Sequence, residues 1–243
     1  MRKLIFILIP LLLTGCSVSQ SQNVTPGTQQ HLVLDKQVTK TVHSSYLLFL
    51  PAQYNQKDQW PLIFFIHGGG EKGLDIEKVK THGPPKIVQD KPDFPFIVLA
   101  PQCPPDDSWT ERTETLVTLL DHIIDKYKVD PDRVYLTGMS MGGYGSWKLA
   151  ADYPEKFAAV VPICGGGYTR WARRLKDTPI WAFHGAKDQA VPLARSEEMV
   201  QAVKDAGGNV QLTVYPGAGH DSWTRTYKNP KLYDWLLEYK RPQ

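Results

Sequence analysis

Apolar runs recur along the chain, and each run is closed by glycine, proline or a short polar cluster. Continuous apolar runs of this length are typical of strands that are buried on both faces of a parallel sheet. With the turn residues that flank them, the runs predict strands at six places: 60–66, 94–100, 134–137, 157–164, 179–184 and 210–215.

Between these strands the spacing of apolar residues changes to the helical period. The pattern predicts a helix over 111–128, which Pro131 prevents from continuing, and another over 193–206, which Gly207 and Gly208 end. Asn229 and Pro230 give an N-cap and a first-turn proline to a last helix. Strands that alternate with helices indicate an α/β domain with a mostly parallel sheet, helices on both faces and sites at the carboxyl ends of the strands.

An antiparallel hairpin is predicted before the first buried strand. Segments 31–39 and 42–50 alternate in part between apolar and polar positions, and Pro51 ends the second segment. Partial alternation of this kind is typical of strands at a sheet edge with one solvated face.

The N-terminus has the pattern of an export signal. Arg2 and Lys3 precede a short apolar run over 4–13, which is followed by small residues and Cys16. The ending resembles the bacterial lipobox, which implies a leader over 1–15, lipid attachment at Cys16 and a lipoprotein of the cell envelope. Residues 16–30 are polar and predict a flexible tether, so we expect the folded domain to span 31–243.

Charge argues against a nucleic-acid partner. The formal net charge is +3 and falls by two when Arg2 and Lys3 leave with the leader. A near-neutral chain lacks the basic footprint that phosphate backbones require. The histidines are scattered, and no nucleotide-binding glycine motif is present, so we expect no metal ion and no cofactor.

The segment Gly138-Met139-Ser140-Met141-Gly142 stands between a predicted strand and a helix-compatible stretch. A strand–turn–helix context with glycines on both sides of a serine is the nucleophile elbow, which raises the serine above the sheet. Ser140 is then the nucleophile, and the Met141 N–H faces the oxyanion that forms. The alternative is a glycine-rich turn that contains an incidental serine.

Three predicted strand ends carry Ser140, Asp188 and His220, in that order. Nucleophile, acid and histidine in this order predict a catalytic triad, with His220 as the base and Asp188 as the group that orients it. Asp221 is a rival acid, but adjacent side chains on an extended segment point apart. We expect His184 to be a packed strand histidine.

The loop after the strand 60–66 is rich in glycine and is expected to supply the second oxyanion donor. Glycine lets a backbone N–H approach a substrate oxygen without a side chain in the way. Gly69 is the first candidate and Gly70 the second. We expect His67 to form hydrogen bonds within this loop, and Glu71, like Lys187, to be a solvated loop charge.

Together these segments resemble a bacterial α/β-hydrolase group that is close to the feruloyl and acetyl-xylan esterases and the dienelactone hydrolases. The resemblance spans roughly residues 46–237. It rests on five segments: 67–71, 100–103, 135–143, 183–188 and 216–220. It implies the α/β-hydrolase fold with a sheet of about eight strands, and a serine carboxylesterase. Dienelactone hydrolases proper use a cysteine nucleophile, whereas this chain has Ser140.

The expected substrates are short-chain or aromatic esters, such as acetyl, butyryl or hydroxycinnamoyl esters, on a small molecule or a polysaccharide. Only fourteen residues, 165–178, separate two predicted strands at the place where lipases of this fold insert a lid, so no large cap is expected. Trp109, Trp171 and Trp223 either line the substrate pocket or pack in the core. The alternatives are a prolyl-oligopeptidase-like serine peptidase and a non-catalytic binding module of the envelope.

Cys103 and Cys164 are expected to be unpaired. Export favours a disulfide, but both cysteines follow strands that lie about three positions apart in this fold. At ~4.8 Å per strand the separation exceeds the reach of a disulfide.

Overall fold

The computed structural model describes residues 26, 29, 31–34 and 36–241 of the chain. The chain divides into two compact units, 1–41 and 42–243. The described residues of the first unit form no helix or strand. The predicted leader, Cys16 and all but two residues of the predicted tether lie outside the described residues, so the expected domain limits remain predictions.

The second unit contains a mostly parallel sheet. Its seven strands are β1 Tyr46–Phe49, β2 Trp60–Ile66, β3 Ile97–Pro101, β4 Val129–Met139, β5 Ala159–Ile163, β6 Ile180–Gly185 and β7 Val210–Tyr215. They lie in the order β1-β3-β2-β4-β5-β6-β7. β1 is antiparallel to β3, and all other neighbours are parallel. The predicted α/β fold is confirmed, with seven described strands in place of about eight.

Helices cover both faces of this sheet. They are α1 Gly83–Ile87, α2 Thr113–Lys126, α3 Met141–Asp152, α4 Ala194–Asp205, α5 Trp223–Tyr227 and α6 Pro230–Glu238. Alternate residues of β2 enter two separate cores: Phe64 packs with residues of α2, α3 and α4, and Phe65 packs with residues of α5 and α6. Alternation along one strand thus explains why β2 reads as a continuous apolar run.

The predicted hairpin at the start of the domain is wrong. Residues 31–34 and 36–45 form no strand, and β1 pairs with β3 instead, with Tyr46 opposite Pro101 and Phe49 opposite Val98. Lys40 and Thr41, which separate the two predicted strands, are not residues that favour a two-residue hairpin turn. The second predicted segment does contain an edge strand, β1, which is antiparallel to β3 and not to the segment before it.

Two further boundaries differ for local reasons. β3 begins at Ile97 and not at residue 94, because Pro95 has no N–H to donate to a neighbouring strand. Phe94 and Phe96 pack against Tyr233 of α6 instead. The helices α1 and α5 were not predicted, since five residues are too few to show a helical period.

Cys103 and Cys164 are both buried and unpaired, which confirms that expectation.

Among the residues described, no helix combines the length and the apolar character that crossing a membrane requires.

Candidate active site

Ser140 occupies the turn between β4 and α3, with φ 54° and ψ −117°. A non-glycine residue with positive φ is held there by its surroundings. The turn lies against the end of β2: a Cβ at Gly138 would be 2.6 Å from the Ile66 carbonyl oxygen, and one at Gly142 would be 2.7 Å from the His67 carbonyl oxygen. Both flanking glycines are therefore required by close backbone contacts.

The three candidate catalytic residues come together at the carboxyl edge of the sheet. His220 Nε2 lies 2.9 Å from Ser140 Oγ, and His220 Nδ1 lies 2.7 Å from Asp188 Oδ2. The Asp188 side chain is fully buried, whereas that of His220 is 29% exposed. A serine, an imidazole and a buried carboxylate in this line have the geometry of a triad.

Backbone amides hold the Asp188 carboxylate on its other oxygen. Asp188 Oδ1 accepts hydrogen bonds from the N–H groups of Ala190 and Val191, each at 2.9 Å. Burial acts to raise the pKa of Asp188, but the hydrogen bonds from His220, Val191 and Ala190 outweigh it and lower the pKa below its ordinary value. The carboxylate therefore stays ionised beside His220.

Asp221, the rival acid, serves a different purpose. Its oxygens accept from the backbone N–H and the hydroxyl of Thr224, at 3.0 and 2.9 Å. Asp221 thus caps the first turn of α5 and does not bond to His220.

The glycine-rich loop lies beside the elbow. Gly69 and Gly70 are exposed and belong to a single 3-10 turn, Gly69–Glu71. A Cβ at Gly68 would be 3.6 Å from the Met139 carbonyl oxygen, while the space around Gly69 and Gly70 is open. Met141 begins α3, where the first N–H groups of a helix lack intrahelical partners. The glycine-rich loop therefore lies against the residue that precedes Ser140, and α3 begins at the residue that follows it.

His67 anchors this loop through backbone contacts, as expected. Its Nδ1 donates to the Gly68 carbonyl at 2.6 Å, and its Nε2 accepts from the Cys103 N–H at 3.0 Å. Burial lowers the pKa of His67 to about 4, so the ring is neutral at physiological pH. Trp109 donates Nε1–H to the His67 carbonyl at 2.8 Å.

The expectation for Glu71 was wrong. Its side chain is only 8% exposed and lies 3.7 Å from His67 Nδ1 and 3.5 Å from His82 Nε2. Burial raises its pKa. The 3-10 turn directs Glu71 inward beneath the glycines, which the polar character of the residue did not indicate. Lys187 is exposed, as expected.

The three tryptophans that were expected either to line the substrate pocket or to pack in the core lie in different surroundings. Trp109 is fully buried, whereas Trp223 stands edge-on to His220 with ring centroids 5.2 Å apart. Trp171 lines a groove of about 420 Å³. Tyr144 and Tyr168 line the same groove and were not recognised from the sequence. Tyr144 lies one helical turn after Ser140, a spacing that could have indicated it.

Cys164 lies close to the triad without joining it. Its Sγ, a carboxylate oxygen of Asp188 and a ring nitrogen of His220 lie within 4.8 Å of one another. Burial raises the pKa of the Cys164 thiol to about 12, and the other two groups are hydrogen-bonded to each other. A neutral thiol is a poor metal ligand, so this cluster does not favour a cation.

The sequence of this chain matches the model of one protein family. The model of the dienelactone hydrolase family matches residues 104–234, more than half of the chain, including the elbow, Asp188 and His220. The chain belongs to the dienelactone hydrolase family. In contrast to the cysteine nucleophile expected of dienelactone hydrolases proper, this member carries Ser140 at the elbow.

Curated relatives and solved structures agree with this assignment. The protein named Probable feruloyl esterase C of Aspergillus niger is 23% identical over 231 residues, covering 93% of this chain and 85% of that protein. A bifunctional acetylxylan esterase/xylanase of Neocallimastix patriciarum is 27% identical over 150 residues, covering 60% of this chain. The crystal structure of a thermostable esterase superposes with a TM-score of 0.71 at 35% identity, over 81% of this chain.

The alignments cover only part of some relatives. The matched segment spans 22% of the Neocallimastix protein and 59% of the thermostable esterase. The comparisons therefore show the family and the fold of this chain.

Proposed function

We propose that this protein is a serine carboxylesterase that forms an acyl-enzyme on Ser140. The observation that carries the proposal is the continuous hydrogen-bonded line from Ser140 Oγ through His220 to the ionised Asp188, at a strained turn in which the serine is half-buried. A free hydroxyl is a weak nucleophile, and a base within 2.9 Å activates it.

In the proposed reaction, Ser140 Oγ attacks the ester carbonyl carbon while His220 Nε2 takes the hydroxyl proton. The Met141 N–H, with that of Gly69 or Gly70, stabilises the tetrahedral oxyanion. Collapse of this intermediate expels the alcohol, which receives the proton from His220. Water then repeats the same steps on the acyl-enzyme and releases the acid.

The surroundings of the site support short or aromatic substrates. Residues 164–179, all of them described, contain a single 3-10 helix, Thr169–Arg174, and no cap. Tyr144, one turn after Ser140 on α3, lines a groove together with the rings of Tyr168 and Trp171. At about 0.8 kcal/mol per buried CH₂, a long acyl chain gains little where no wall encloses it. The similarity to an acetylxylan esterase/xylanase and to a feruloyl esterase supports an ester linked to a polysaccharide.

The proposal includes an anchored, exported location. Its support is the sequence alone: the basic and apolar leader followed by Cys16. Stable attachment needs more than one acyl chain, as a lipobox cysteine supplies. Cys16→Ser should move the protein from the membrane fraction to the soluble envelope fraction, and unchanged fractionation would contradict the anchor.

A panel of substrates tests the catalytic proposal. We expect kcat/KM to be far higher for p-nitrophenyl acetate, p-nitrophenyl butyrate and methyl ferulate than for p-nitrophenyl palmitate or a prolyl amide. Ser140→Ala should abolish turnover and labelling by a fluorophosphonate probe while the melting temperature is retained. Full activity of Ser140→Ala would refute the serine mechanism, and a preference for the amide would assign a peptidase.

A further inference from the structure

His184 places a second imidazole on the carboxylate oxygen that serves His220. His184 lies in β6 and its side chain is fully buried. Its Nε2 is 3.2 Å from Asp188 Oδ2 and 2.9 Å from the Val191 carbonyl oxygen. Since His220 Nδ1 is 2.7 Å from the same Oδ2, two histidines meet at one oxygen of the candidate catalytic acid.

The partners of His184 determine where its hydrogen lies. The Val191 carbonyl and the ionised Asp188 carboxylate can only accept, so Nε2 must donate. Nδ1 is 2.8 Å from Ser196 Oγ, which is also 2.8 Å from the Gly165 carbonyl oxygen. The single hydroxyl hydrogen of Ser196 goes either to Nδ1 or to Gly165. In both arrangements Nε2–H donates to the Val191 carbonyl, and Asp188 Oδ2 lies 3.2 Å from the same nitrogen.

We propose that His184 is a positioning residue of the catalytic triad, holding Asp188 Oδ2 where His220 needs it. Oδ1 of Asp188 accepts hydrogen bonds from Ala190 and Val191, while Oδ2 is bonded to His220 and has His184 Nε2 3.2 Å away. Without His184, Oδ2 would be held only by the imidazole whose charge changes in every turnover. The inference rests on the proposed serine mechanism.

The same network reaches the helix that carries the nucleophile. Ser196, the first-turn serine of α4, links His184 to Gly165. A Cβ at Gly165 would be 2.6 Å from the Tyr144 backbone nitrogen of α3, so this part of the backbone packs tightly against the nucleophile helix. His184 therefore contacts both Asp188 and Val191, in the loop that carries the candidate acid, and Ser196 of α4, which in turn bonds to Gly165 beside the nucleophile helix.

Two substitutions separate positioning from packing. His184→Gln places an amide nitrogen near the position of Nε2 and keeps a donor toward Asp188, whereas His184→Asn places one near Nδ1 and loses that donor. Partners that orient a functional histidine at metal sites typically contribute about 10- to 100-fold. We expect His184→Asn to lower kcat for p-nitrophenyl acetate by about this factor, with KM changed less than about twofold, and His184→Gln to recover most of the loss.

A double-mutant cycle provides a readout that a structural role would not move. If His184 acts through Asp188, His184→Asn should cost little further activity in an Asp188→Asn background. Equal losses in both backgrounds, or unchanged kcat in His184→Asn, would overturn the inference. His122→Asn, on the exposed face of α2, is the matched control, and melting temperatures are measured for every variant.

A measurement on the folded wild-type protein covers the case in which His184→Asn does not fold. In ¹⁵N NMR of histidine-labelled protein, Nε2 of His184 should carry its hydrogen, and its resonance should shift when Asp188 becomes Asn. A bare Nε2 would overturn the inference. An active Ser140→Ala refutes the serine mechanism itself, whereas an inactive Ser140→Ala beside a fully active His184→Asn refutes only the positioning role.

Discussion

Two segments at strand ends of this protein share the pattern His-Gly-x-x-acid, in which x is any residue and the acid is Glu or Asp. His67 to Glu71 follows the core of β2, and His184 to Asp188 begins in β6. In both, the histidine is fully buried and the acid lies four residues later. One segment forms the glycine-rich loop and the other forms the acid loop of the candidate triad.

The two acids differ in the donors they receive. Asp188 accepts hydrogen bonds from two backbone amides and the His220 imidazole, with the His184 imidazole 3.2 Å away, and its pKa is lowered despite burial. Glu71 Oε2 is buried without a hydrogen-bond partner among the described residues, and burial raises its pKa. The spacing of histidine and acid therefore does not decide the charge of the acid. The charge of the acid is decided by the hydrogen-bond donors that other elements of the fold place beside it.

The largest difference between the two segments is expected when each acid is neutralised in turn by substitution. Asp188→Asn should lower kcat by about 10⁴, the scale for loss of the orienting carboxylate in a triad. Glu71→Gln should cost less than about 10-fold, since it makes no contact with Ser140 or His220. The measurement is kcat for p-nitrophenyl acetate, with Asp221→Asn as a control expected to stay near wild type. Equal losses of kcat for Asp188→Asn and Glu71→Gln would show that the charges of both acids contribute to catalysis.

A methyl group at each glycine tests how closely the two loops are packed. A Cβ at Gly185 would be 2.6 Å from the Ala218 carbonyl oxygen, in the turn that leads to His220, whereas one at Gly68 would be 3.3 Å from Glu71 Oε2. The backbone at Ala218 cannot move aside as readily as the end of the Glu71 side chain. Gly185→Ala should therefore lower the free energy of unfolding by about 1–3 kcal/mol, and Gly68→Ala by less than about 1 kcal/mol. Urea denaturation of both variants measures these two free energies, and the reverse ranking would contradict the close packing of Gly185 against Ala218.

The pH dependence of stability should report on His67. Its folded pKa of about 4 lies below the unfolded value of about 6.5. Between these values only the unfolded chain binds the proton, so His67 contributes its stability above pH 6.5 and loses it as pH falls toward 4. A shift of this size corresponds to at most about 3 kcal/mol.

The control for this experiment is His67→Asn, which should have a flatter dependence of the unfolding free energy on pH between 6.5 and 4. The Asp188 contribution, from a lowered pKa, is lost only at lower pH, as the carboxylate becomes protonated in the fold. The slopes of wild type and His67→Asn are compared by urea denaturation at several pH values. Parallel slopes would mean that His67 takes up its proton in the folded protein too.

Much of the sheet could be predicted because its information is local. The run from Trp60 to Ile66 and the run from Val210 to Tyr215 are strands with the predicted limits, since each is apolar or alternating and is bounded by turn residues. The cap and first-turn proline at Asn229 and Pro230 also begin a helix as expected. The predicted hairpin failed because the choice of partner for β1 depends on an edge that lies some fifty residues further along the chain.

By itself the sequence determined which residues stand at the strand ends: a serine between two glycines, a glycine-rich loop, an aspartate and a histidine. These positions follow from periodicity and turn chemistry, which act over a few residues. The tertiary structure alone showed that Glu71 is buried and that His184 lies against the Asp188 oxygen that faces His220. Hydrogen-bond partners and burial are set by elements distant in the chain, so no local pattern contains them.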